Sequence, residues 1–164
     1  DENRIMIPSP KISSYAKMPQ MSAPKITSTI LEKIQKNKYD FYAVNFANAD
    51  MVGHTGDLSA TIKACEVLDK QVEVLSKEIL KRGGNLIITA DHGNIEDMIN
   101  LKTGEVETEH SCNKVPFILI NDQEKYQLKN NGSLCNVAPT ILDFLGTKKP
   151  AEMTADSLII KTNE

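Results

Sequence analysis

The stretch Asn45-Phe46-Ala47-Asn48-Ala49-Asp50-Met51-Val52-Gly53-His54-Thr55-Gly56 decides how this chain is read. It closes the apolar run Tyr39–Phe46 (YDFYAVNF), sets an acid and a histidine four residues apart, and ends in turn residues before a helical sequence. The run is rich in β-forming residues, as expected of a strand buried between helices. In open α/β sheets ligand sites lie beyond the carboxyl ends of the strands, so Asp50 and His54 fall where chemistry is expected. Two later pieces answer this one. Asn85–Ala90 (NLIITA) delivers Asp91-His92-Gly93-Asn94, and Glu109-His110-Ser111 stands ahead of Val115–Ile120 (VPFILI). All three histidines of the chain lie in these pieces, each beside or near an acid.

Working outward, Ser22 is placed to cap a helix with Pro24 in its first turn. Ile26, Ile30 and Ile34 would share a face, and Lys36-Asn37-Lys38 would end it. After Asp57, Ile62, Cys65, Leu68, Val72, Leu75 and Ile79 recur at helical spacing. Lys63, Glu66, Asp69, Lys70, Glu73 and Lys77 line the wet face, and Gly83-Gly84 stops the helix. Residues 94–107 read as a short turn or helix followed by a polar loop. Residues 115–120 are a third strand with Pro116 near its start, where a missing donor is tolerated. Asn121–Ser133 reads as a surface loop, with Asn131-Gly132-Ser133 as a turn. Asn136 is placed to cap a last helix with Val137, Ile141, Phe144 and Leu145 on one face and Gly146 at its end. Leu158-Ile159-Ile160 would return as an edge strand. This alternation predicts an α/β fold with a mostly parallel sheet flanked by helices.

Composition narrows the function. The 164 residues can bury a sizeable core, and 40% hydrophobic with 25% charged content is that of an ordinary soluble domain. A net charge of −3 with no basic stripe argues against nucleic acid as a partner. No apolar run approaches the roughly 20 residues that span a bilayer. Cys65, Cys112 and Cys135 are odd in number and lack CxxC spacing, so a reducing, cytoplasmic setting is expected. Residues 1–24 carry Pro8, Pro10, Pro19 and Pro24 and read as a linker returning from another domain. Lys11 within it is either a solvated lysine or one that reaches an anion.

Carboxylates and imidazoles together suit a divalent first-row ion, with manganese favoured where carboxylates are prominent. Two such ions can activate a nucleophile and neutralise a transferring phosphoryl group. Each residue also has a plainer reading: an acid or histidine after a strand is commonly a turn cap or a satisfied polar group. What weighs against that is the clustering of every histidine into acid-bearing motifs. Cys112, two residues from His110, is either a bland loop cysteine or an adventitious soft-metal ligand. No Gly-rich phosphate loop is present.

The segments NFANADMVGHTGD, ITADHGNIEDM, TEHSCNKVPFIL and MIPSPKISSYAKMPQMSA resemble the carboxy-terminal part of the cofactor-independent phosphoglycerate mutases, members of the alkaline-phosphatase-like superfamily. The resemblance implies that Asp50, His54 and His110 hold one manganese ion, and that Asp91 and His92 belong to a second. It implies that Lys11 lies near the substrate phosphate. The implied reaction interconverts 3-phosphoglycerate and 2-phosphoglycerate through a phosphoserine in a complete enzyme expected to be monomeric. On this reading the nucleophilic serine, the remaining aspartate ligand and the substrate-binding domain lie in an amino-terminal part outside these residues. Residues 1–24 then return from that domain, residues 25–164 belong to the metal-binding phosphatase-like domain, and the chain alone is inactive. Ala49, Asn136 and Ala155 depart from the family pattern without touching a predicted ligand. Alternatives are another phosphomutase or phosphohydrolase of the superfamily, or a non-catalytic metal-binding module.

Overall fold

The computed structural model describes residues 2–36, 39–122 and 126–160. Its contacts divide the chain into two units, Asp1–Ile120 and Asn121–Glu164. Residues 2–24 belong to the first.

In that unit helix α1 (Ala23–Gln35) carries Pro24 in its opening turn, where a missing N–H leaves no bond unmade. Ser22 does not cap it. Its hydroxyl instead donates to the Pro8 carbonyl at 2.8 Å, which ties the opening segment to the helix entry. Ala23, Thr27 and Ile34 are buried and Ile26 and Ile30 half-buried, so the expected face is the one that packs. Of the basic stretch expected to end this helix, Asn37 and Lys38 lie outside the described residues.

Helix α2 (Asn48–Gly53) occupies the stretch read as a loop after the first strand. Asn48 is buried and donates to the Pro19 carbonyl at 2.7 Å. Helix α3 (Leu58–Lys81) starts at Asp57, whose carboxylate accepts the Ala60 N–H at 2.9 Å. Both α1 and α2 lie against α3. Ala60 and Ala64 form the core with Val52 and Met21, and Tyr15, Ala16, Ala47 and Met51 pack around them. The predicted stripe is displaced at its start: Ile62 is 52% exposed, while Ala60, Thr61 and Ala64 are buried. Small side chains there let α2 approach closely. From Cys65 to Ile79 the predicted stripe is buried or half-buried. Gly83, at φ 68°, turns the chain out of the helix.

Strands β1 (Leu86–Thr89) and β2 (Phe117–Ile120) pair antiparallel, with Leu86 opposite Ile120 and Thr89 opposite Phe117. The α/β class holds, but neither ladder among the described residues is parallel. A parallel return needs a crossover, usually a helix. Residues 90–116 instead carry a 3₁₀ turn at Ile95–Asp97 and an Ile99–Val106 bridge, and bring the chain straight back. The predicted strand at Tyr39–Phe46 forms no ladder among the described residues. Phe41 is 50% exposed there and Val44 is exposed too, because no described strand lies alongside to pair with it. Tyr42 still ties the segment to α1, donating its hydroxyl to the Lys33 carbonyl at 3.1 Å.

In the second unit β3 (Gln127–Leu128) lies inside the predicted loop, and it pairs antiparallel with β4 (Ile159–Ile160), the predicted return strand. Helix α4 (Val137–Phe144) lies between them in sequence. Asn136 precedes it but makes no side-chain cap to it. Its side chain accepts from Ser133 N–H at 2.8 Å and donates to the Asp156 carbonyl at 2.8 Å. Thr140, fully buried, donates to the Asn136 carbonyl at 2.7 Å and accepts the Leu158 N–H at 2.9 Å, fastening the returning tail to the helix.

Candidate metal centre

All of this centre lies in the first unit. The helical form of residues 48–53 is what makes it. In a helix, residues four apart share a face, so Asp50 and the C-terminal flanking His54 point the same way. His54 Nε2 lies 3.1 Å from Asp50 Oδ1. The Gly93–Ser111 bridge brings in the other two loops. His110 Nε2 then stands 3.1 Å from Asp50 Oδ1 and 3.1 Å from His54 Nε2. His92 stacks on His110 with ring centroids 3.7 Å apart, and its Nε2 lies 4.0 Å from the same Asp50 oxygen. Asp50, His92 and His110 present donor atoms within 4.8 Å of one another.

The donor chemistry suits a cation. His54 Nδ1 lies 2.7 Å from the Thr108 carbonyl. A carbonyl only accepts, so Nδ1 carries a proton and Nε2 is the ring atom turned toward Asp50 and His110. Electron-rich atoms this close repel unless a proton or a cation lies among them. Two ligands sharing an ion at about 2.0–2.2 Å each stand roughly 3–3.5 Å apart, which the three 3.1 Å separations match. Partial burial pushes the Asp50 carboxyl up. The Asn94 amide, then the charges of His54, His110 and His92, more than offset this and leave it below its usual value.

Asp91 sits at the rim. Its Oδ2 is 3.7 Å from His92 Nε2, and its side chain is 87% exposed. His92 Nε2 thus lies near both acids, while Asp91 is not among the donors that converge within 4.8 Å. Lys11 is exposed on the opening segment and makes no hydrogen bond or ion pair among the described residues. Cys112 is exposed, and all three cysteines are free. Burial raises the Cys65 thiol, with a backbone hydrogen bond working against it, in keeping with a core residue.

Several contributors were not singled out from the sequence. Asn94, buried, donates to Asp50 Oδ1 at 2.8 Å. Glu96 accepts from Asn94 N–H at 2.8 Å, from the Asn113 amide at 3.2 Å and from the Ser111 hydroxyl. These bonds, the Ser111 hydroxyl foremost and slight desolvation opposing, lower its carboxyl to about 2. All four residues lie within three or four positions of a histidine, where residues that orient metal ligands commonly sit. That proximity is the one signal the sequence offered for them.

A sequence profile of the Metalloenzyme superfamily matches residues 1–149. The chain is 51% identical over 161 residues to 2,3-bisphosphoglycerate-independent phosphoglycerate mutase 2 of Methanosarcina barkeri, covering 98% of this chain and 30% of that protein. It is 49% identical over 161 residues to the 2,3-bisphosphoglycerate-independent phosphoglycerate mutase of Clostridioides difficile, covering 98% of this chain and 32% of that one. A crystal structure of Leishmania mexicana phosphoglycerate mutase, at low cobalt concentration, superposes with a TM-score of 0.85 and 31% identity, over 94% of this chain and 31% of that one. The chain thus spans about a third of the length of these relatives. No helix among the described residues is long and apolar enough to cross a membrane. Matched over residues 1–149 and bearing a convergent carboxylate–imidazole cluster, the chain belongs to the metalloenzyme superfamily.

Proposed function

We propose that these residues form part of the two-metal phosphoryl-transfer site of a phosphoglycerate mutase acting on 3- and 2-phosphoglycerate through a phosphoserine. The observation that carries the reading is the 3.1 Å triangle of Asp50 Oδ1, His54 Nε2 and His110 Nε2, in a chain about half identical to named mutases.

Asp50, His54 and His110 would hold one manganese ion, and His92 with Asp91 would serve a second. The bound ions would supply positive charge against the transferring phosphoryl oxygens and lower the pKa of an attacking group. The chain's own residues prepare for that. The Thr108 carbonyl fixes the His54 tautomer, and the Asn94 amide orients the Asp50 carboxylate. Lys11, carried on the opening segment, is assigned to the substrate phosphate, where a fixed cation stabilises the transferring charge. Residues 1–24 would return from a substrate domain, and residues 25–164 would belong to the phosphatase-like domain. The remaining two thirds of the relatives' length would supply the nucleophile. The exposed Phe41 and Val44 support a partner of that kind alongside Tyr39–Phe46. Free cysteines accord with a cytoplasmic setting.

The test is an assay of phosphoglycerate interconversion in the complete protein carrying these residues, with Mn²⁺ present. Asp50→Ala and His110→Ala should each lower the rate by more than about 100-fold, beyond the 10–100-fold typical of a residue that only supports a ligand. Chelation should abolish activity and Mn²⁺ restore it. Full activity in either variant would reject the reading.

A further inference from the structure

Beside the residues of the candidate centre, a polar cluster in the first unit is centred on Glu96. One carboxylate oxygen takes the Asn94 N–H at 2.8 Å. The other takes the Ser111 hydroxyl and the Asn113 amide, the latter at 3.2 Å. These partners belong to the two loops that deliver His92 and His110. Asn94 extends the chain of bonds to a third element, since its side chain reaches Asp50 Oδ1 on α2 at 2.8 Å. Ser111 N–H closes the circuit on the Gly93 carbonyl at 2.9 Å.

The backbone leaves no room for a substitute. A methyl group on Gly93 would lie 2.2 Å from Ser111 Oγ and 2.4 Å from Glu96 Oε1. Glycine at 93 is therefore what lets this carboxylate and this hydroxyl meet beneath the two histidines. Glu96 itself is not among the donor atoms of Asp50, His92 and His110 that lie within 4.8 Å of one another.

We propose that Glu96 is a positioning residue of the centre, clamping the 92–97 and 108–113 segments in the register that brings His92, His110 and Asp50 together. The proposal rests on the metal reading above. Ligands are fixed by their outer hydrogen bonds, and loss of such a partner typically weakens metal binding 10–100-fold. Here one carboxylate orients three ligands indirectly: His110 through Ser111, His92 through the backbone at Gly93 and Asn94, and Asp50 through the Asn94 amide.

The experiment compares the complete protein carrying these residues with its Glu96→Ala, Ser111→Ala and double variants. Mn²⁺ affinity is measured by paramagnetic resonance of free ion, coordination by the visible absorption of bound Co²⁺, and metal-free unfolding by urea. Glu96→Ala should weaken Mn²⁺ binding 10–100-fold and change the Co²⁺ band shape. Ser111→Ala should do so less, and the double variant should be no worse than Glu96→Ala alone. A merely structural role would move the urea midpoint and leave the Co²⁺ band intact, and that result overturns the proposal. Equal affinity and an unchanged spectrum in Glu96→Ala overturn it too, while the metal reading stands. If the parent chain binds neither ion, the metal reading falls and takes this proposal with it. Should Glu96→Ala fail to fold, Ser111→Ala alone decides: unchanged affinity and spectrum reject the clamp.

Discussion

Gly53 ends α2 one residue before His54, and a methyl group there would stand 2.8 Å from Asn94 Oδ1 and 2.8 Å from Ile95 Cγ2. Asn94 Oδ1 is buried and has no hydrogen-bond partner among the described residues, so any push on this side chain acts on its one useful bond, the amide to Asp50. Overpacking a tight contact costs about 1–3 kcal/mol. Gly53→Ala should therefore lower unfolding stability by about that amount, read as a shift of the urea midpoint with unchanged slope, and weaken metal binding along with it. At this scale the sequence pointed to side chains that the first unit brings together. Histidines are few, and each lies beside or near an acid. The grouping was less legible: His92 stacks on His110 and faces Asp50 as well as Asp91, a juxtaposition made by the Gly93–Ser111 bridge between distant segments. Asn94, Glu96, Ser111 and Thr108 were invisible for another reason. Asparagine, glutamate, serine and threonine are ordinary surface residues, and only their partners in space give them a role.

Among the elements, α3 was the plainest to read, because a stripe at helical spacing and a double-glycine stop agree. Asp57 satisfies the Ala60 N–H, and its threonine neighbour helps by accepting the Asp57 N–H through Thr55 Oγ1 at 3.3 Å. Asp57→Ala should cost about 1 kcal/mol, measured by thermal or urea unfolding of the metal-free chain. No loss would mean that the cap is idle. Two elements were misread. Residues 48–53 carry too few positions for periodicity to announce a helix, yet the spacing of Asp50 and His54 is the i, i+4 of one helical face. Tyr39–Phe46 has the composition of a doubly buried strand, but a strand needs a neighbour to pair with. Among the described residues it has none, so β-propensity alone leaves it extended and exposed. Antiparallel pairing of β1 with β2 was likewise hidden, because it depends on how residues 90–116 return and not on the strands' own sequences.

At the scale of the whole molecule, the α/β class and the superfamily were within reach of the sequence. The division at Ile120 was not, since both sides of it are ordinary mixtures of apolar and polar residues. The metal centre draws only on the first unit, from α2 and the two loops on either side of the Ile99–Val106 hairpin. Asp50 is the carboxylate near which the three imidazoles converge. The most direct measurement is a Mn²⁺ titration of the chain against Asp50→Ala and His54→Ala, followed by the resonance of free ion. Saturable binding is expected in the parent, with a loss of at least about tenfold in each variant. Binding as tight in Asp50→Ala as in the parent would contradict it.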